Sequence, residues 1–173
     1  MPTLAWSPEL MLGVPAMDAT HEEFVALLAT VEQAPDDAVV ADWAKLVEHT
    51  QQHFDNEDRY MRATGFAATN CHTTHHAMVL NVLRQGLAMG QAGQLEPIRQ
   101  MARELATWFV QHADTMDAAL AAHLMRVGYD PASGAIAHPL AIPAETINGC
   151  GGATCGAAPA DAPAARSPVD VAA

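Results

Sequence analysis

Apolar residues recur at helical spacing along most of this chain, and no stretch alternates with the two-residue period of a half-buried strand. Phe24, Leu27, Leu28 and Val31 follow His21 at steps of three and four, which predicts a helix from about Asp18 to Ala34 with Asp18 as its N-cap. After the break APDD, a second stripe holds Trp43, Leu46, Val47, Thr50, His53, Phe54, Glu57 and Met61 and ends near Thr64 and Gly65, where glycine suits a helix stop. His72, His76, Val79, Leu80, Leu83 and Leu87 predict a third helix from about Asn70 to Met89, with MGQAGQ as the following loop. Ile98, Met101, Leu105, Trp108, Phe109, His112, Leu120 and Leu124 predict a fourth, from about Leu95 to Val127. Four such segments joined by short loops describe an all-α, up-down-up-down four-helix bundle, because short loops force neighbouring helices to pack antiparallel. Residues 1–17 are then an N-terminal arm and residues 18–128 the bundle. Residues 129–173 are rich in Ala, Gly and Pro and poor in large apolar groups, so a flexible, disordered C-terminal tail is expected there.

Composition narrows the function classes. The 173 residues make one domain with some surplus chain, and the formal charge of -12 has the wrong sign for neutralising phosphates or binding an anionic membrane. Nucleic acid is therefore excluded as an expected partner. No run of eighteen apolar residues argues for membrane insertion, and the start MPTLAWSPELMLGVP lacks a basic signal-peptide opening, so a cytoplasmic location is expected. Cys71, Cys150 and Cys155 are too few and too unevenly placed for a disulfide framework. Nine histidines are the unusual count, and several of them fall on the inward stripes.

Four residues along a helix advance about 6 Å and turn about 40°, so His53 with Glu57, and His72 with His76, each project from one face. Five residues turn about 140°, so Asp117 is expected to approach His112 from the side. His21 opens the stripe of the first helix. A single inward histidine is ordinarily a core residue bonded to a backbone carbonyl. Here all four helices contribute, and leaving so many polar groups unpaired costs roughly 2 kcal/mol or more per group. A shared metal centre satisfies them together.

These residues resemble the hemerythrin family, in particular its single-domain bacterial members. The resemblance rests on Trp6, GVPAMDATH ending at His21, HFDNE from His53 to Glu57, HTTHH from His72 to His76, and WFVQHADTMD from Trp108 to Asp117. It spans about residues 4–127. The resemblance implies two non-haem iron ions joined by an oxo or hydroxo bridge, with His72, His76 and His112 on one, His21 and His53 on the other, and Glu57 and Asp117 shared. Imidazole-rich ligation with bridging carboxylates suits iron, whereas a zinc site closes with four ligands. It implies O2 as the ligand, taken up reversibly at the vacancy of the two-histidine iron. Phe24, Phe54, Trp108, Phe109 and Ala113 would form the apolar O2 pocket, and plain bundle core is their other reading. The family pattern in the fourth helix resembles WLxxHI, so Phe109 and Ala113 are departures that bear on how long oxygen stays bound.

The implied function is oxygen storage or delivery, with an oxygen-using enzyme or a reductase as partner. The competing class is a di-iron enzyme, an oxidase or a peroxide or nitric oxide reductase, or an oxygen or redox sensor. Ferritin-like oxidases use E-x-x-H repeats, and this chain contains none. His49 lies one turn before His53 and is the most ambiguous of the other histidines; His75 reads as a surface residue, and His123 and His138 as solvated or locally bonded. Cys71 sits at a helix start, which favours a thiolate, though a small buried thiol is the plainer reading. Cys150 and Cys155 could close a small disulfide loop, bind metal, or stand idle.

Overall fold

The computed structural model describes residues 2–149 and consists of helices joined by short turns. The expected bundle is observed, with α1 Pro15–Gln33, α2 Val39–Ala63, α3 Cys71–Gln91 and α4 Glu96–His112. A π turn, Ala113–Asp117, continues α4 into α5, Ala118–Val127, so that α4 and α5 together make the fourth rod. The rods form a ring in which α1 and α3 each pack on both α2 and α4.

Local chemistry explains the helix ends. Asn70 caps α3 by accepting from the Thr73 N–H, while the Thr73 hydroxyl accepts from the Asn70 N–H. Gly128, at φ 63°, closes α5 in a Schellman motif: Tyr129 N–H bonds Leu124 C=O at 2.9 Å and Gly128 N–H bonds Met125 C=O at 3.1 Å. Gly65 stops α2 at the expected place.

Three boundaries differ from the sequence expectation. Helix α1 begins at Pro15, preceded by Val14, so Asp18 lies in the first turn and is not the N-cap. Its buried carboxylate instead accepts from the backbone N–H groups of Leu12 (2.6 Å) and Gly13 (3.1 Å), tying the arm to the helix. Helix α3 runs on through Gly90 to Gln91, past the expected end near Met89, and its glycines at 86 and 90 let it come close to its neighbours. A Cβ at Gly86 would stand 2.6 Å from Met101 Sδ, and one at Gly90 would collide with Ile98.

The third difference lies beyond Gly128. Residues 129–149, expected as flexible, fold back on the bundle. Ile147 pairs with the turn after α2, accepting from Ala67 N–H at 2.9 Å and donating to Gly65 C=O at 3.0 Å. Tyr129 lies 5.5 Å from the Tyr60 ring, and Tyr129 and Ile147 both pack on buried apolar side chains. These few large side chains suffice because they reach an apolar surface already built by the helices. The expected tail mobility over residues 150–173 and the readings of Cys150 and Cys155 lie outside the described residues.

Two apolar clusters fill the bundle. One runs from Val31, Val39, Trp43 and Ile98 to Phe24, Phe54 and Phe109; the other holds Val14, Met17, Tyr60, Met61, Phe66, Leu120 and Leu124. Each cluster ends at buried histidines and carboxylates, contributed by all four rods. Among the described residues, no helix is long and apolar enough to cross a membrane.

Candidate metal centre

His21 on α1, His53 and Glu57 on α2, His72 and His76 on α3, and His112 and Asp117 on the fourth rod are all buried. Their ligand atoms fall into two overlapping groups. Glu57, His72, His76, His112 and Asp117 have nitrogen and oxygen atoms within 4.8 Å of one another, and so do His21, His53, Glu57 and Asp117. All seven residues singled out in the sequence are thus brought together.

The two carboxylates stand between the groups. Glu57 turns Oε1 to His53 Nε2 (3.2 Å) and His21 Nε2 (4.0 Å), and Oε2 to His76 Nε2 (3.3 Å) and His72 Nε2 (3.6 Å). Asp117 turns Oδ2 to His21 Nε2 (3.3 Å), and Oδ1 to His72 Nε2 (3.0 Å) and His112 Nε2 (3.1 Å). Each carboxylate therefore offers one oxygen to each group.

The approach of Asp117 depends on the π turn. In an unbroken α-helix Asp117 would sit about 140° from His112. Here the Ala118 N–H bonds the Ala113 C=O, five residues back, and the wider coil brings residues five apart close together. The sideways approach expected from the sequence is replaced by a shared face, with 3.1 Å between the two side chains.

These contacts are close without being aligned hydrogen bonds. Among the described residues, both oxygens of Glu57 and of Asp117, and Nε2 of His21, His53 and His76, have no hydrogen-bond partner. Nε2 of His72 faces Nε2 of His112 at 3.2 Å. Buried polar atoms left this way cost about 1–3 kcal/mol each. Nitrogen and oxygen lone pairs that converge on common points, rather than on one another's protons, fit metal ions, and imidazole with carboxylate suits a transition metal.

Without metal, charge must sit on the cluster itself. Burial opposes ionisation of Glu57, yet the imidazoles of His53, His72 and His76 outweigh it and hold the carboxyl well below its usual range. Burial and the nearby Glu57 charge oppose ionisation of Asp117, but His112, His21 and His72 win and hold it below its usual range as well. In turn, burial lowers His72, while Asp117 and Glu57 more than compensate and raise it to about 9. His21 is raised by Asp117 and Glu57 against its burial, and His76 by Asp58 and Glu57. His112 goes the other way, because burial together with the neighbouring His72 outweighs Asp117.

The aromatic residues named from the sequence lie against this cluster. Phe54 stacks on the His76 ring at 4.0 Å, and Trp108 on the His112 ring at 4.6 Å. Phe109 meets His21 edge-on at 5.1 Å and stacks on Phe24 at 4.6 Å. Ala113 is buried at the start of the π turn and lines a cavity of about 490 Å³ between the arm and the fourth rod.

One residue escaped the sequence reasoning. Asp58 Oδ1 lies 3.0 Å from His76 Nδ1, placing that nitrogen's proton on the outer side and leaving Nε2 free to face inward. Its only signal was adjacency to Glu57, since the pairing crosses from α2 to α3. Nδ1 of His21, His72 and His112 have no such partner. His49 stays outside both groups and pairs with Glu23 at 3.2 Å. Of the two readings of His123, solvated or locally bonded, the second holds: it is buried, its Nδ1 meets Arg126 at 2.7 Å, and its Nε2 donates to the distant Thr64 C=O at 2.9 Å. His75 and His138 are exposed, as expected.

The same residues fall within a match to a family model, the hemerythrin HHE cation binding domain, over residues 12–124. The chain belongs to the hemerythrin family. Its relatives include a bacteriohemerythrin of Ralstonia nicotianae, 35% identical over 130 residues, which cover 75% of this chain and 95% of that protein. A bacteriohemerythrin of Pseudomonas paraeruginosa is 25% identical over 122 residues, covering 68% of this chain and 79% of that one. No solved structure matches. This hemerythrin thus combines a bundle of the family with a buried His, Glu and Asp cluster able to hold metal.

Proposed function

We propose that this chain binds O2 reversibly at a non-haem di-iron centre and serves oxygen storage or delivery to oxygen-requiring enzymes. The observation that carries the reading is the placement of Glu57 and Asp117, each with one unpartnered oxygen toward each histidine group. His72, His76 and His112 would hold one iron, His21 and His53 the other, and both carboxylates would be shared. The three-against-two division of histidines would give the second iron one protein ligand fewer, and so room for an outside ligand. A ferrous pair supplies the two electrons that reversible oxygen uptake requires.

The protein's own residues favour carriage over catalysis. A general acid needs a proton that can leave near neutral pH. Glu57 and Asp117 are the carboxylates of the two groups, and cations held between them would keep both ionised and occupy their lone pairs. The buried Asp18 carboxylate is engaged by Leu12 and Gly13 N–H. Phe24, Phe54, Trp108 and Phe109 keep water from one side of the site. These residues would then offer no proton to oxygen held at the site, which favours its release unchanged. Ala113 covers less of this wall than a branched residue would, so Ala113→Ile should slow oxidation of the ferrous form.

The test is to measure iron per chain and to follow the visible spectrum while reduced, anaerobic protein is cycled between argon and oxygen. Two irons and a spectrum that returns on each cycle support the carrier. One irreversible turnover per exposure would replace it with the oxidase reading.

A further inference from the structure

Helix α3 carries a second, outward stripe. His75, Met78, Val82, Gln85 and Met89 follow one another at steps of three and four, the seam spacing of a helix that packs against another helix. The inward stripe of His72, His76, Leu80 and Leu83 is already used by the bundle. Yet the outward residues face solvent, with Met78 63%, Val82 46% and Met89 39% exposed. Beside them a groove of about 350 Å³ opens between α3 and α4, floored by Val79, Leu83, Met101, Leu105 and Trp108. Large side chains on one helix and an apolar groove beside it form a self-complementary surface, as a two-fold contact requires.

Charge identifies the occupant. The chain carries -12, so copies repel one another over most of their surface. Helices α1 and α2 present acids such as Glu22, Glu23, Glu48 and Asp55. Helix α3 contains no Asp or Glu, and its one charged residue, Arg84, is bonded to Gln51 of α2. Among the described residues, Glu104 is the single acid on the groove's rim. A cationic partner would be drawn to α1 and α2, whereas the α3 face is where a second anionic copy meets least repulsion.

We propose that this protein forms a two-fold dimer through α3, with the two helices antiparallel and crossing at Val82. In that register Val82 meets its own copy, and His75 and Met78 of one chain lie toward Met89 and Gln85 of the other. Met78 and Met89 supply adaptable apolar contact at such a surface. The inference does not depend on the oxygen reading, because none of the five stripe residues belongs to the metal groups.

Sedimentation equilibrium of the full, iron-loaded chain at micromolar concentrations tests it. The expected mass is twice the 18.3 kDa of one chain. Val82→Glu sets two carboxylates against each other across the axis and should weaken association about 100-fold or more. Met78→Glu, at a more exposed position, should act the same way. Iron content and helical circular dichroism serve as controls that both variants fold. A monomeric wild type would overturn the proposal and leave the face to a different partner. A dimer that survives both folded variants would also overturn it, placing the contact elsewhere.

Discussion

Stripping the metal should reverse the sign of this protein's pH dependence. In the metal-free chain His72 is raised from 6.5 to about 9 by Asp117 and Glu57. Its contribution to stability is fully present below pH 6.5, the unfolded value, and is lost as pH rises through 9. The integral over that window is about 3 kcal/mol from His72 alone. His21 and His76, also raised, add in the same direction. Glu57 and Asp117 are depressed, so their contribution is present above their unfolded values, 4.5 and 3.8, and is lost toward acid. His112, lowered instead, costs stability as pH falls below 6.5, so the stripped protein should be most stable near that value and should lose roughly 6–12 °C in Tm on going to pH 9. Metal binding runs the other way, because a nitrogen must shed its proton to ligate. At pH 7, two units below the raised value, freeing His72 weakens binding about 50-fold relative to pH 9. Calorimetric titration of the stripped protein with Zn2+ or Co2+, in buffers of differing protonation enthalpy, counts the protons released. Thermal melts with and without metal from pH 5.5 to 9 give the slopes. At least one proton per chain should be released at pH 7, and the Tm of the stripped chain should fall above pH 6.5 while that of the loaded chain does not. No proton release, or a stripped Tm that rises through this window, would refute the reasoning, since the imidazoles would then already be neutral.

Replacing Asp58 by Asn removes the anionic acceptor at His76 Nδ1 while keeping its size, and should lower metal affinity about 10- to 100-fold with little change in helicity; an unchanged titration would show that Phe54 stacking alone holds the ring. His53→Ala should lose at least one metal per chain, whereas His49→Ala should lose none, because His49 pairs with Glu23 outside both groups; elemental analysis of the two variants decides. A chain ending after Tyr129 loses the Ile147 contact and its two backbone bonds, and should be less stable than one ending after Gly149 by about 1–3 kcal/mol, read from denaturant midpoints; equal midpoints would mean that this segment adds nothing to the bundle.

How much could be read from the chain alone follows from the range of each interaction. Helical spacing is local: Leu28, Trp43, Leu83 and Leu124 announce their buried faces through neighbours three and four residues away, and four such stripes with short loops leave few arrangements besides a bundle. The paired site residues were legible for the same reason. His53 with Glu57 and His72 with His76 share a face by spacing alone, whatever surrounds them. Tertiary structure decided what spacing cannot carry. The π turn moved Asp117 onto the face of His112 by changing the coil itself, so a count of 100° per residue pointed to the wrong side. The bond from Asp58 to His76 joins two helices whose relative rotation depends on the packing between them, including the close approach that Gly86 and Gly90 allow. The composition of residues 129–149 holds little apolar area and so predicts flexibility, but order requires only that Tyr129 and Ile147 find a surface, and the ends of α2 and α5 build that surface in space. The outward stripe of α3 was present at helical spacing from the start. Only the burial of its opposite face showed which of the two stripes was left over.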